Sequence, residues 1–314
     1  MKRDKRVTVA VLMGGTSSER EVSLHSGAGI VDALRKARFD VVPAVMDDLS
    51  LASIEGQGVD VAFIALHGGF GEDGRVQRLL EDAGIPYTGS GPEASHSALD
   101  KVIAKRKFVE AGIPVVRDRL LDSVPDRDSA DRIVCELGGK VVVKPAAQGS
   151  SIGVSIVERG GFDAAVREAL VFDGRVIVES FVKGRELTVG VLGREALPVI
   201  ELRPHRQFFD YTAKYQYGQT EYIVDPDLPD DLKAGVSRAA LAAFESLACR
   251  DLGRVDMMLA ENDGFFVLEV NTIPGFTETS LVPMAAKAVG IDFPALCGRL
   301  VEMALERFGA ARPV

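Results

Sequence analysis

The chain of 314 residues has no tryptophan, only three cysteines and only four histidines. Cys135, Cys249 and Cys297 stand far apart with no CxxC pair, which excludes a zinc ribbon and argues against a disulfide framework. Three buried thiols in a reducing cytoplasm are expected instead. No apolar run approaches the ~18 residues needed to cross a bilayer. The stretch 7–13 stops at Gly14-Gly15, too short for a secretory leader with its cleavage site. The densest run of Lys and Arg is the N-terminal KRDKR, and the net charge is −9. That balance argues against nucleic acid or an anionic membrane as partner. Also missing is GxxxxGK[ST], so a nucleotide, if one binds, is not held by that loop.

What is present is an alternation of strand and helix signals, in a chain long enough for two or three domains. Strands are predicted at 6–13 and 59–66, each running into glycines, with helices at 23–37 and 75–84. This order points to an α/β domain with a parallel sheet, whose ligands sit at the loops after the strands. One continuous helix is predicted from about 95 to 111, then strands at 113–121, 140–145, 153–157 and 175–182, with helices at 129–138 and 162–172. Strands 185–192 and 196–202 pair antiparallel, a helix spans 230–249, strands 254–260 and 264–271 follow, and 283–308 is mostly helical. Domain boundaries are expected to give units 1–100, 101–183 and 184–314.

The segment KPAAQGSSIG (144–153) carries a lysine, two serines and two glycines at the end of a buried strand. Gly149 and Gly153 permit close backbone approach. Successive amides with the Ser150 and Ser151 hydroxyls make an anion-binding concavity, and Lys144 adds a fixed positive charge. The set suits a triphosphate; a flexible surface turn is the competing reading.

GRVDMMLAENDGFFVLEVN (253–271) reads as a hairpin turning at Asn262-Asp263-Gly264. Val255, Met257 and Leu259 line one face of the first strand, and Phe266, Leu268 and Val270 one face of the second. Packing these sets together requires paired residue numbers to sum to 525 or 527. In either register Asp256, Glu269 and Asn271 share the opposite face, beside Arg254. Two carboxylates ~4 Å apart repel by roughly 4 kcal/mol at an effective dielectric near 20. All-oxygen ligands without Cys or His favour Mg²⁺ or Mn²⁺, which commonly bridge carboxylate and phosphate. A solvated face with a salt bridge to Arg254 is the alternative; Met258, Phe265 and Val267, apolar on that face, weigh against it.

Four further segments flank these two. In GGTSSEREVSLHSG (14–27), Glu19 and Glu21 bracket Arg20 where a helix begins, either as N-terminal charges or as an anchor for an ammonium group. HGGFGEDG (67–74) places His67 at a strand end. NTIPGFTETSLVP (271–283) offers backbone amides and the Ser280 hydroxyl to an anion. FFDYTAKYQYGQTEY (208–222) reads as an ordered loop or a lid.

Taken together in their order and spacing, GGTSSEREVSLHSG, HGGFGEDG, KPAAQGSSIGV, YTAKY, GRVD and LEVNTIPGFTETSLVPMAA resemble the D-alanine–D-alanine ligases, members of the ATP-grasp superfamily, from about residue 7 to residue 308. The resemblance implies a three-domain α/β and α+β fold that clasps ATP, and joining of two D-alanines through an acyl phosphate for peptidoglycan precursors. It implies phosphate contacts from Lys101, Lys144 and Ser151, with Lys214 near the transferred phosphate. Adenine falls to Glu179, Phe181 and Val182, and the ribose to Glu186. Two Mg²⁺ ions, with Mn²⁺ as substitute, fall to Asp256, Glu269 and Asn271. Glu19 and His67 meet the first D-alanine, and Glu19, Ser150 and Tyr215 close the lid. Arg254 and the Gly275 N–H stabilise the oxyanion, while Ser280 and the Leu281 N–H take the second carboxylate. A homodimer is implied. The competing readings are a D-alanyl-D-lactate or D-alanyl-D-serine ligase of the same fold, and a nucleotide-binding protein without turnover.

Overall fold

The computed structural model describes residues 6–204, 220–262 and 264–310. Three sheets organise them. The first is parallel, in the order β2–β1–β3, with β1 (Thr8–Gly14) between β2 (Asp40–Met46) and β3 (Val61–Ile64). The uninterrupted apolar run of β1 follows from cover on both faces. α1 (Arg20–Lys36) lies beside it and buries Ile30, Val31 and Leu34. β2 was not among the predicted strands, because Pro43 interrupts its pattern. It is an edge strand, where a proline removes no ladder bond that the sheet needs.

α2 (Gly69–Glu72) and α3 (Arg75–Asp82) follow β3, and the helix predicted over 95–111 is two: α4 (Pro92–Leu99) and α5 (Lys101–Glu110). Asp100 breaks them. Its side chain accepts from the Val102 and Ile103 N–H groups, 3.0 Å each, starting a new helix rather than continuing the old one. Lys101 therefore opens α5, and its own N–H donates to Ala146 O at 2.9 Å.

The second sheet runs β4 (Asp118–Leu121), β7 (Val176–Ser180), β5 (Lys140–Pro145), β6 (Ser155–Glu158) and is antiparallel throughout. α6 (Arg127–Glu136) and α7 (Phe162–Asp173) cover it over a core of Val134, Val141, Val143, Phe162, Val166 and Val178. The strand predicted at 113–121 is shortened to β4, because Val115 bridges to Val267 of the third sheet instead.

That third sheet runs β11 (Thr220–Val224), β10 (Ile200–Pro204), β8 (Gly184–Leu192), β12 (Leu252–Ala260), β13 (Phe265–Asn271), with β9 (Glu195–Ala196) on β8. α8 (Asp230–Ser246) seals one face with Val236, Ala240 and Phe244 against Leu187, Val189 and Met257. β11 was not predicted; most of the stretch read as a lid, including Lys214 and Tyr215, lies outside the described residues.

The C-terminal helices α9 (Leu281–Ala288) and α10 (Phe293–Ala310) return to the first sheet, where Leu296, Leu300 and Val301 share one core with Val9, Val11 and Leu34. At about 1.5–3 kcal/mol for each fully buried aliphatic side chain, this shared core ties the first and third sheets firmly together. Asp251 reinforces the joint, accepting from Gly89 N at 2.9 Å and from Arg307 Nη1 at 2.5 Å. No single helix among the described residues is long and apolar enough to cross a membrane. The expectation of three buried thiols holds for Cys297 and fails for Cys135, which is exposed on α6. Cys249 is half-buried, and its surroundings push the thiol up to about 12.

Candidate functional site

The hairpin β12–β13 carries the densest chemistry. Arg254 pairs with Asn271, Val255 with Val270 and Asp256 with Glu269, which is the 525 register. A β-bulge after Asp256 then shifts the pairing, so Met257 faces Val267 and Leu259 faces Phe265. The inserted residue reverses the faces of β13 beyond it. Val267 is fully buried in the core and Phe265 packs against it, while Phe266 and Leu268 are half-buried. The sequence reading had these pairs the other way round. The end that bears Asp256, Glu269 and Asn271 is untouched by the shift.

Asp256 is almost wholly buried and satisfied on both oxygens. Oδ1 accepts from Thr188 Oγ1 of β8 at 2.7 Å and from Arg254 Nε at 2.8 Å. Oδ2 accepts from Arg254 Nη2 at 2.7 Å and from Asn271 Nδ2 at 3.0 Å. Glu269 Oε2 lies 3.3 Å from Lys101 Nζ, which also donates to Gln148 O at 2.6 Å. Each carboxylate thus faces a cation of the protein itself. A small cavity of about 20 Å³ lies among Glu72, Lys101, Gly149, Glu269 and Asn271. No three His, Cys, Asp or Glu side chains gather as a metal cage among the described residues. The donor set is two carboxylates and the amide of Asn271, all hard oxygen ligands once that amide turns its Oδ1 inward, and it fits Mg²⁺ or Mn²⁺.

The glycine–serine loop leaves β5 at Pro145. Ala147 N donates to Asp173 Oδ2 at 2.9 Å and Gln148 Nε2 to Phe172 O at 3.3 Å, so the end of α7 anchors its base. Ser150 and Ser151 both adopt left-handed backbone conformations, φ 52° and 59°. Such conformations in non-glycine residues concentrate at ligand-binding turns. Gly153, φ 69°, has no room for a Cβ, which would fall 2.7 Å from the Phe172 ring.

Lys144 at the loop's mouth is buried and paired. Its Nζ lies 2.7 Å from Glu179 Oε2, and Lys105 Nζ lies 2.9 Å from Glu179 Oε1. Lys105 also donates to Val116 O at 2.9 Å and meets Asp118 at 3.0 Å. Burial pushes the Glu179 carboxyl up; the two lysines outweigh it and hold the group below its usual range. Lys105 was missed from sequence. Its signal was its position one helical turn after Lys101 on the same face of α5.

Across the opening, Ser150 Oγ donates to Glu19 Oε1, joining the second-sheet loop to the first sheet. Glu19 sits at the start of α1, buried, while Glu21 is exposed in the first turn, where it serves the helix N-terminus. Arg20 locks this turn, donating through Nη1 to Gly15 O at 2.9 Å and Met46 O at 3.0 Å. His67 Nε2 is 3.3 Å from Ser26 Oγ, and its Nδ1 is 3.8 Å from Glu72 Oε1. Glu72 also accepts from Gly68 N at 3.0 Å. Glu72 too went unread, because nothing in HGGFGEDG distinguishes an acid that faces the site from one that faces water. A cleft of about 630 Å³ lies between these loops, bounded by Ser17, Glu19, Gly68, Gln148 and Gly149.

The remaining expected residues lie on β8 and on the connections next to β7 and β13. Phe181 and Val182 form the connection from β7 to β8, with Phe181 under the Lys140 ammonium at 4.4 Å. Glu186 lies two residues before Thr188 on β8 and so shares its face. Gly275 follows β13, and Ser280 stands immediately before α9 with Leu281 as that helix's first residue. The Ser280 hydroxyl accepts from Thr277 N at 2.9 Å.

A family model described as D-ala D-ala ligase C-terminus matches residues 108–302, and one described as D-ala D-ala ligase N-terminus matches 8–53 and 50–90. A D-alanine–D-alanine ligase of Desulforudis audaxviator is 46% identical over 304 residues, covering 95% of this chain and 99% of the relative. One of Syntrophobacter fumaroxidans is 46% identical over 314 residues, covering 96% and 99%. The crystal structure of the Bacillus anthracis D-alanine–D-alanine ligase complexed with ATP superposes with TM-score 0.86 at 33% identity, covering 98% of this chain and all of that one. VanG D-Ala:D-Ser ligase of Enterococcus faecalis superposes with TM-score 0.82 at 27% identity, over 96% and 100%.

Proposed function

The chain belongs to the D-alanine–D-alanine ligase family, and on that premise we propose that it joins two D-alanine molecules at the expense of ATP, releasing ADP and phosphate for peptidoglycan precursor synthesis. The observation that carries the site assignment is the pairing of Asp256 with Glu269 across β12–β13, each matched to a cation, beside the Ser150–Glu19 bridge.

A carboxylate is a poor electrophile, so the first D-alanine must be phosphorylated; the second amine then displaces phosphate from the acyl phosphate. Lys101, Lys144, Ser151 and the loop amides hold the nucleotide phosphates, with Lys214 at the transferred group. Glu179, Phe181 and Val182 take the adenine and Glu186 the ribose. Asp256, Glu269 and Asn271 would hold two Mg²⁺ ions, replaceable by Mn²⁺, which would supply positive charge against the phosphate oxygens. Glu19, with His67 beside it, fixes the ammonium of the first D-alanine. Arg254 and the Gly275 N–H face the oxyanion formed on amine attack, where each preorganised donor is worth about 10²–10³ in rate. Ser280 and the Leu281 N–H receive the second carboxylate. Glu19, Ser150 and Tyr215 together close the site against water, which would otherwise hydrolyse the acyl phosphate.

The units 1–100, 101–183 and 184–314 are the domains of this reading, in agreement with one sheet apiece. A cytoplasmic homodimer completes it. Purified protein with Mg-ATP should release phosphate only when D-alanine is present, and the product should be the dipeptide even when D-lactate or D-serine competes. ATP binding without D-alanine-dependent phosphate release would overturn the assignment. Ser150→Ala removes a hydrogen bond to a charged group, worth about 1.5–3 kcal/mol. It should raise KM for the first D-alanine roughly tenfold or more. Unchanged KM and kcat would remove Ser150 from the closing set.

A further inference from the structure

Both carboxylates assigned to the divalent cations already have partners. Arg254 forks onto Asp256, and Lys101 stands 3.3 Å from Glu269. Lys101 is held there rather than merely near. It is the first residue of α5, 6% exposed, and its N–H is fixed on Ala146 O at 2.9 Å. The cap beneath it, Asp100, is in turn held by Arg175 Nη2 at 2.8 Å. The Lys101 ammonium donates to Gln148 O at 2.6 Å, so it links the glycine–serine loop to β13.

Charge accounting gives this arrangement a consequence. Asp256 is paired with Arg254 and the half-buried Glu269 with the buried Lys101, and breaking such a pair where water is largely excluded leaves a poorly compensated charge. A divalent ion entering alone must displace Lys101 from Glu269 within a cavity whose other described carboxylate, Glu72, already accepts from Gly68 N at 3.0 Å. The same ion entering with a polyphosphate brings the anionic oxygens that Lys101 needs. We propose that Lys101 gates the divalent-cation site: it closes Glu269 to a free metal ion and releases it only when nucleotide phosphates draw the ammonium away. Metal and nucleotide then enter together. Unproductive metal loading of the empty enzyme is suppressed, and Gln148 O is freed at the same moment, so the loop is released as the phosphates arrive. This deepens the function proposed above and rests on its assignment of Asp256, Glu269 and Asn271 to the metal.

The test is titration of the full chain with Mn²⁺, reading free Mn²⁺ by its electron paramagnetic resonance signal, with and without ADP. Wild-type protein should bind Mn²⁺ weakly alone and strongly with ADP. Lys101→Met should bind Mn²⁺ without nucleotide at least about tenfold more tightly than wild type, since a like charge a few ångströms away has been removed. Lys101→Arg should stay as weak as wild type. Lys101→Gln, whose amide still donates to Gln148 O, repeats the Met experiment if that variant is unstable. Equal Mn²⁺ affinity of wild type, Met and Gln variants, with ADP still recruiting Mn²⁺ to wild type, would overturn the gate and leave the metal site standing. Failure of ADP to recruit Mn²⁺, or recruitment unaffected by Glu269→Gln, would overturn the site itself.

Discussion

Asp256→Asn is expected to lower kcat by about 10³-fold or more, roughly 4 kcal/mol in the barrier, and also to lower the unfolding temperature, since Arg254 loses its counter-charge. The effect is large because one carboxylate serves three neighbours. It is a donor to the proposed metal, it forks with Arg254 at 2.8 and 2.7 Å, and it receives the Thr188 hydroxyl at 2.7 Å. Loss of its charge weakens the hold on the phosphates and frees the guanidinium proposed to meet the oxyanion, so two transition-state interactions fail together. The protein is expected still to fold because asparagine keeps an oxygen for Thr188 and Arg254 Nε, and Asn271 can present its own oxygen to the new amide. Steady-state kinetics at saturating ATP, D-alanine and Mg²⁺ decide the matter. A kcat within tenfold of wild type would show that Asp256 is a structural anchor for Arg254 and not part of the phosphate-transfer apparatus. Restoration of activity by Mn²⁺ in place of Mg²⁺ would instead strengthen the ligand assignment, since the ion with greater affinity for a weakened donor set compensates.

Why this carboxylate was legible in the sequence, and others were not, follows from the kind of order each depends on. Period-two alternation needs only local geometry, so the face shared by Asp256, Glu269 and Asn271 could be read directly, and the observed register is one of the two it allowed. The bulge after Asp256 had no local marker; it arises where β13 must also give Val267 to Pro114 O and to the core beneath. The strand signals of β5 and β7 placed Lys144 and Glu179 on neighbouring elements, but not in one ion pair. Antiparallel pairing of Val142 with Glu179 determines that, and register between distant strands is not written in either one. The glycine–serine loop could be read as a candidate place to hold an anion, whereas the Ser150–Glu19 bridge across 131 positions depends on how the parts carrying the first and second sheets meet. Asp100 was readable in principle: an aspartate inside a helical pattern competes for the backbone, and here it ends one helix and caps the next. Family resemblance supplied the roles; the packing supplied Lys105, Thr188 and Glu72, which stand behind the residues that the motifs name.

Glu179→Gln is expected to lower stability by about 3–5 kcal/mol, because it leaves Lys144 and Lys105 buried with their shared counter-charge gone. The wild-type arrangement is one anion between two ammonium groups at 2.7 and 2.9 Å, all three side chains less than a tenth exposed. Asp118, at 3.0 Å from Lys105, relieves only part of the imbalance. A loss of that size should bring the unfolding transition down by roughly 5–8 °C. The same pair predicts how the penalty varies with pH. Burial raises the Glu179 carboxyl, Lys144 and Lys105 outweigh it, and the folded group lies below its ordinary value of 4.5. The unfolded chain therefore binds the proton first as pH falls. The stabilisation is fully present above about pH 5.5 and is lost as the solution passes below 4.5 and through the lower folded value. The wild-type transition should accordingly converge on that of Glu179→Gln on going from pH 7 to pH 3.5, while the two stay well separated from pH 6 to pH 8. A constant gap across the whole range would mean that the glutamine variant is destabilised by lost packing alone. A variant as stable as the wild type at pH 7 would mean that the lysines find other partners when Glu179 is neutral. If the charge reading is right, the loop at whose mouth Lys144 stands should loosen in the same variant, and the apparent affinity for ATP should fall even where the protein remains folded.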